Sequence, residues 1–499
     1  MNDQTSRPLD RPKARLPRGF SDSTGKMLAV HEQLIGKLAE VYASYGFERL
    51  TTPCIEFADA LGKFLPDQDR PHEGAFSFAD DDGQWLVLRY DLTAPLARYV
   101  AENYDSLAFP YRRFQAGPVF RDEKPGPGRY REFIQFDADT VGTSSMAADA
   151  EFCMLVADSL EALGLARGDY LIKVNNRKVL NGVLELIGVP EGAEGDALRL
   201  AVLRAMDKLD RLGIEGVGQL LGGGRKDESG DFTKGAGLAT KDIDRVLGFL
   251  HAGGSDRRSV CAALAGLVQG SAIGEQGAAE LLEIDASLTA AGFGLDRVRI
   301  DPAIVRGLAY YTGPVFEAEL TFEIKGDDGR PIRFGSVGGG GRYDNLVERF
   351  LGKKVPATGV SIGVSRLAAA LEMRGLLSGK AHTGPVVVLV LDRDQLARYQ
   401  VMVSELRAGG VRAELYLGQG GMRAQLKYAD KRAAPIVVIE GGDERAKGEV
   451  TLKDMALGAE LSSEIKSRAE WAKGGASQIA VKREQLTPRI LEILARHGA

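Results

Sequence analysis

GPVFRDEKPGPGRYREFIQFDAD, residues 117–139, reads as two strands joined by a long charged turn. Val119, Arg121 and Glu123 alternate on one face of the first strand, and Phe133, Gln135 and Asp137 share a face of the second. The intervening EKPGPGRYR continues neither strand, because proline has no donor for a ladder and glycine opens the turn angles. The expectation is a hairpin with a mobile basic tip carrying Lys124, Arg129 and Arg131, and with Arg121 inside the strand. A charge at a position that should pack is costly to bury unless an anion meets it, so the hairpin points to an anion-facing site.

Outward from that stretch, the bounds are simple. A chain of 499 residues exceeds one ordinary core and implies two or three domains. Hydrophobic residues at 44% and charged residues at 27% fit a soluble globular protein. The net charge of −5 shows no basic excess, although a local basic patch would suffice for nucleic acid. Cys54, Cys153 and Cys261 form neither a CxxC metal pair nor a disulfide framework, which fits a reducing compartment. There is no run of eighteen apolar residues and no signal-peptide core. Residues 1–17 read as a flexible arm.

In chain order, helical spacing from Thr24 to Tyr45 ends at Gly46, and a strand from Phe47 to Leu50 runs into Pro53. WLVLRYDLTAP (85–95) is a strand ending near Tyr90. Asp91 and Thr93 at its exit suit either a ligand amine or the cap of a helix beginning near Ala94. Helices at 147–163 and 178–187 flank a strand at 170–174. Residues 192–295 have the texture of a helical insertion, and GGGRKDESG (222–230) is a loop without phosphate-loop spacing. A strand at 297–300 precedes VRGLAYYTG (305–313), where Arg306 offers a fixed charged fork and Tyr310 and Tyr311 offer flat walls with polar tips. After a strand at 315–324 comes GSVGGGGRYD (335–344), whose glycines admit close backbone approach to a ligand and weaken any strand they interrupt. TGVSIGVSRLAAAL (358–371) is a strand entering a helix, with Arg366 in the first turn where the dipole favours anions. Beyond a boundary at 379–384, strands at 386–391, 412–417 and 436–440 alternate with helices at 395–408 and 422–431, implying a small parallel sheet. A further strand at 450–453 and one or two helices in 459–499 complete the chain.

In this order the motifs resemble those of class II aminoacyl-tRNA synthetases, and their wording is closest to the histidyl-tRNA synthetases. Residues 24–53, 117–139 and 358–371 are similar to motifs 1, 2 and 3, and RGLAYY is similar to the family's RGL-x-YY. The resemblance implies an α/β protein. Its α+β catalytic core at 18–378 is built on an antiparallel sheet, with the helical insertion at 192–295 helping to hold the tRNA acceptor stem. A C-terminal α/β anticodon-binding domain follows at 384–499, with Arg423, Lys427, Lys431 and Arg432 along one of its helices. It further implies a cytoplasmic homodimer, joined through motif 1, that activates L-histidine with ATP and Mg2+ and passes it to the 3' end of tRNA(His).

The same resemblance implies roles for single residues. Arg121 meets the α-phosphate, Arg366 the γ-phosphate and Arg129 the departing end of the triphosphate. Glu123 meets the adenine edge or Mg2+. Arg306 lies against the histidine carboxylate and the α-phosphate. Asp91, Thr93 and Gln135 hold the ammonium group, Asp139 and Tyr311 bracket the imidazole, and Tyr310 and Tyr343 line the pocket. Three positions depart from many relatives: Asp91 and Asp139 stand for Glu, and Ser365 stands for Glu. A competing class, the non-catalytic regulatory subunits of a phosphoribosyltransferase, shares the core but typically lacks the C-terminal domain that this chain has.

Overall fold

The computed structural model describes residues 13–61, 74–125, 130–190, 192–226, 230–304, 311–325, 331–376, 384–455, 457 and 477–497. Residues 1–378 and 379–499 form two compact units. The strands described in the first are β1 (Glu48–Arg49), β2 (Ile55–Phe57), β3 (Ser77–Ala79), β4 (Trp85–Leu88), β5 (Tyr111–Phe120), β6 (Glu132–Val141), β7 (Tyr170–Asn176), β8 (Gly224–Lys226), β9 (Phe232–Lys234), β10 (Val298–Ile300), β11 (Pro314–Lys325), β12 (Pro331–Arg342) and β13 (Ala357–Gly363). Eight of them make one sheet in the order β1-β5-β6-β13-β12-β11-β7-β10. Its six inner strands pair antiparallel, and β1 and β10 add parallel edges.

The β5–β6 hairpin pairs from Tyr111↔Val141 to Phe120↔Glu132. Arg121 therefore lies just past the strand, not inside it as the alternation implied. The ladder is diverted there. The Arg121 amide still donates to the Arg131 carbonyl (2.9 Å), but the Asp122 amide turns to Gly74 (3.0 Å) and the Arg131 amide to Gly19 (2.8 Å). Because strand side chains alternate, Phe114, Phe136 and Ala138 share the apolar face. The helix Gly25–Ser44 presents the fully buried Val30, Leu34, Leu38 and Tyr42 to that face. The Tyr42 ring meets Phe136 edge-on at 4.8 Å, and Phe114 stacks on Phe136 at 5.6 Å. Gly46, at φ 81°, ends the helix as its permissiveness suggests.

Two further expectations are corrected in this unit. GSVGGGG does not interrupt a strand. It is part of β12, paired through Gly338–Gly341 with β11 and β13 on both sides. The strands are so close that a Cβ on Gly340 would stand 2.0 Å from the Gly359 carbonyl, so the glycines are what this spacing requires. GGGRKDESG is not simply a loop, since β8 and β9 pair as a short hairpin around it. The insertion also shares the main core: its last helix, Ala272–Ala290, buries Leu281, Ile284 and Leu288 in the same cluster as Val174 and Val179.

In the second unit, β14 (Val386–Val388), β15 (Ala413–Leu415), β16 (Ile436–Ile439), β17 (Glu449–Asp454) and β18 (Gln478–Lys482) take the order β15-β14-β16-β17-β18. The first three are parallel, as the alternation with helices Leu396–Ala408 and Met422–Lys431 implied. β17 and β18 are antiparallel, so the sheet is mixed and not wholly parallel. The segment from Glu440 to Gly448 is too short for the crossover of a dozen or more residues that a parallel partner needs. The tail, expected to be helical, supplies β18 before the helix Leu486–Arg496. Among the described residues no helix is long and apolar enough to cross a membrane.

Candidate active site

The alternation that turns Phe114 and Phe136 toward the helices turns Arg113, Gln115, Gln135, Asp137 and Asp139 to the other face of the same strands. All five are buried, and Arg113 is fully so at 0% exposure. The Tyr343 hydroxyl donates to Asp139 Oδ1. Arg113 Nη2 lies 2.7 Å from Asp139 Oδ2, opposite it in the register. That contact is close but not aligned as a hydrogen bond, so Oδ2, like Arg113 Nε and Nη1, is a buried polar atom without a hydrogen-bond partner in the protein. The carboxylate rests over Gly359, where a Cβ would come within 2.1 Å of Oδ1.

Neighbouring strands complete this face. Gln135 Nε2 donates to Ser361 Oγ at 2.5 Å, and Asp137 shares the same serine. Gln135 Oε1 and Asp137 Oδ1 have no protein partner. Tyr343 is placed by Arg342, which is buried against Asp149 and donates to the carbonyls of Thr143 (2.9 Å) and Ser145 (3.2 Å). Tyr311 packs over Gly341, whose missing Cβ would stand 3.0 Å from the ring.

Beside this row, Asp91 serves as a helix cap. Its Oδ1 accepts from the Thr93 amide (3.1 Å) and the Ala94 amide (2.9 Å), starting the helix Thr93–Glu102. Asp91 and Thr93 are both buried, and the Leu92 carbonyl between them accepts from Arg113 Nη2 at 2.8 Å. Arg121 leaves β5 half-buried, with its guanidinium 4.4 Å from the Tyr90 ring centre and 5.1 Å from that of Phe133. Glu123 is exposed and accepts from the Tyr90 hydroxyl at 3.3 Å. Arg366 is exposed in the first turn of the helix Val364–Met373. That turn is tied to the hairpin by the Ile134 amide, which donates to Ser365 Oγ (3.3 Å), and by the Gly363↔Gln135 pairing.

Asp91, Thr93, Gln135, Asp139, Tyr311 and Tyr343 thus belong to one side of the sheet, with Arg121, Glu123 and Arg366 toward its hairpin end. Arg129, Arg306 and Tyr310 lie outside the described residues. The sequence reading missed Arg113, Asp137, Gly359 and Ser361. The signal for the first two was the row of polar residues that alternates with aromatic or small ones on both strands of one hairpin; it marks a polar face, and the structure adds that this face is buried.

Burial pushes the Asp137 carboxyl up to about 7 and also raises Asp91 and Asp139. Arg113 opposes the rise at all three. Three buried carboxyl groups thus lie in one region of this face, with Arg113 in contact with Asp139, an arrangement that favours a small ligand carrying positive charge and N–H donors. Among the described residues no group of three or more His, Cys, Asp or Glu side chains is placed to hold a metal ion.

A family model described as histidyl-tRNA synthetase matches residues 19–367, and one described as an anticodon binding domain matches 385–474. The chain belongs to the histidyl-tRNA synthetase family. A histidine–tRNA ligase of Methylocella silvestris is 59% identical over 100% of both chains, and one of Brucella ovis is 58% identical over 97% of both. The crystal structure of the histidyl-tRNA synthetase from Nostoc sp. PCC 7120 is 27% identical and superposes with a TM-score of 0.69, covering 97% of this chain and 100% of that one. The resemblance to class II synthetases and the mixed α/β fold with an anticodon-binding domain are borne out.

Proposed function

We infer that the chain is a histidine–tRNA ligase that activates L-histidine with ATP and transfers it to tRNA(His). The observation that carries the site assignment is the buried Asp139 carboxylate, held by Tyr343 and Arg113 in a row with Gln135. In this reading Asp139 accepts an imidazole N–H and Tyr311 bonds the other ring nitrogen, while Asp91, Thr93 and Gln135 hold the ammonium group. Pairing both nitrogens gives selectivity, since a buried polar group left unpaired by an isostere costs roughly 1–3 kcal/mol.

The histidine carboxylate attacks the α-phosphorus and pyrophosphate leaves. The terminal ribose hydroxyl of the tRNA then attacks the activated carbonyl and AMP leaves. Positioning and charge stabilisation dominate such chemistry. Arg121 grips the α-phosphate, Arg366 the γ-phosphate and Arg129 the departing end. Arg306 stands as a fixed cation between the carboxylate and the α-phosphate. Mg2+ is characteristically held by one or two carboxylates plus substrate phosphates, so the exposed Glu123 fits an ion that enters with ATP. The second unit reads the anticodon, the insertion supports the acceptor stem, and the enzyme works as a cytoplasmic homodimer.

The test is histidine-dependent exchange of pyrophosphate into ATP, followed by charging of unfractionated tRNA. Both should proceed with the native enzyme. Asp139→Ala should raise the KM for histidine far more than that for ATP, and a defect confined to ATP would remove Asp139 from the imidazole pocket.

A further inference from the structure

We propose that Arg113 is the positioning residue of the histidine pocket, fixing the spacing between the segment that holds the ammonium group and the carboxylate that holds the imidazole. The inference rests on the site assignment above and deepens it. One nitrogen of this guanidinium makes both connections: Nη2 donates to the Leu92 carbonyl at 2.8 Å and lies 2.7 Å from Asp139 Oδ2. Leu92 is flanked by Asp91 and Thr93, so its position sets theirs. Asp139 is the direct cross-strand neighbour of Arg113, so their separation is fixed by the β5–β6 register.

A fully buried arginine calls for a reason. Burying an ion pair typically contributes little net stability, because desolvation offsets the attraction, and an apolar pair of similar volume would pack as well or better. Stability alone does not explain Arg113. Its planar fork does supply rigidity, since the guanidinium is always charged and its donors have fixed directions. An aspartate at 139 has a short reach, and a short carboxylate must be held at the right depth to meet an imidazole. Arg113 holds it from the side while Oδ2 keeps its capacity to accept an N–H. The same guanidinium also opposes the burial-driven rise at Asp137 and, after the Ala94 amide and Arg121, at Asp91, so the group that sets the spacing also contributes to the charge balance of the pocket.

The experiment measures pyrophosphate exchange as a function of histidine and of ATP for Arg113→Met, Arg113→Lys and Asp139→Ala. Arg113→Met should raise the KM for histidine tenfold or more and leave the KM for ATP within twofold. Arg113→Lys keeps charge but not the fork, and should fall between Met and native. A KM for histidine within twofold of native in Arg113→Met, or an equal rise for ATP, overturns the proposal. Should Arg113→Met fail to fold, Arg113→Lys decides: an unchanged KM for histidine overturns it and a selective rise supports it. If Asp139→Ala raises the KM for histidine while both Arg113 variants do not, only this inference falls. If Asp139→Ala also leaves it unchanged, the pocket assignment falls with it.

Discussion

A single methyl group added at Gly359 probes the geometry of the pocket. The Cβ of Gly359→Ala would stand 2.1 Å from Asp139 Oδ1, 2.7 Å from Asp139 Cγ and 2.7 Å from the Ala138 carbonyl oxygen. Carbon atoms in contact sit about 3.5–4.0 Å apart, so something must move by an ångström or more. The backbone cannot yield cheaply, because Ala138 is paired with Val360 on one side and Phe114 on the other. Gly359 itself is in extended strand, so alanine meets no backbone strain there and the effect is steric. The Asp139 carboxylate must therefore leave its present position, and the 2.7 Å approach to the Ala138 carbonyl, which no rotamer relieves, adds strand strain to the loss of stability. Separating a buried ion pair costs about 3–5 kcal/mol of stability. Losing a hydrogen bond to a charged group weakens histidine binding by about 1.5–3 kcal/mol, or roughly 10- to 150-fold. Calorimetric titration of histidine into the folded variant, without ATP, reads the second quantity directly. A dissociation constant within twofold of native would refute the placement of Asp139 and the reasoning built on it.

Two other perturbations test the buried charges. Burial pushes Asp137 up to about 7, so the folded state holds its proton longer than the unfolded chain does. The stability linked to that proton is complete below about pH 4 and is lost as pH rises through about 7, a difference of about 4 kcal/mol. Asp137→Asn should therefore gain stability over native between pH 5 and pH 8 in urea titrations, and a difference independent of pH would contradict the assignment. Arg342→Met would leave Asp149 buried without its cation, although burial already raises that carboxyl to about 6. The expected loss is about 3–5 kcal/mol by denaturant titration, and a loss below about 1 kcal/mol would show that the pair does not anchor the strand end bearing Tyr343.

The sequence was legible where local chemistry and fold agreed. Helical spacing from Met27 to Tyr45 with a terminal glycine gave the first helix almost to the residue, and the proline-rich turn gave the hairpin. It was illegible where a long-range contact overruled local preference. Four glycines argued against a strand, yet Gly338–Gly341 lie in the middle of the sheet, because the cost of unpacked glycine is offset by two saturated ladders and a spacing that excludes Cβ. The direction of β17 depended on a connection length, not on composition. In the pocket, the residues flagged in advance came from family wording. Arg113 and Asp137 lay outside that wording, although the alternation in RRFQAG and QFDAD already placed two charged rows opposite two apolar ones.

The three departures from the family pattern share a physical consequence. By the resemblance, each is a short side chain where many relatives carry a glutamate, and each is fastened to a neighbouring element. Asp91 spends Oδ1 on the amides that begin a helix, so its remaining reach is fixed by that helix. Asp139 sits in the space left by Gly359, between Tyr343 and Arg113. Ser365 accepts from the Ile134 amide and ties the arginine-bearing helix to the hairpin. Shorter side chains have fewer rotamers to lose, and tethered ones lose them during folding and not during binding. On the proposed reading, reach lost at these positions is replaced by attachment to the backbone register, and the long side chains that share in the positioning, Arg113 and Arg342, are both buried.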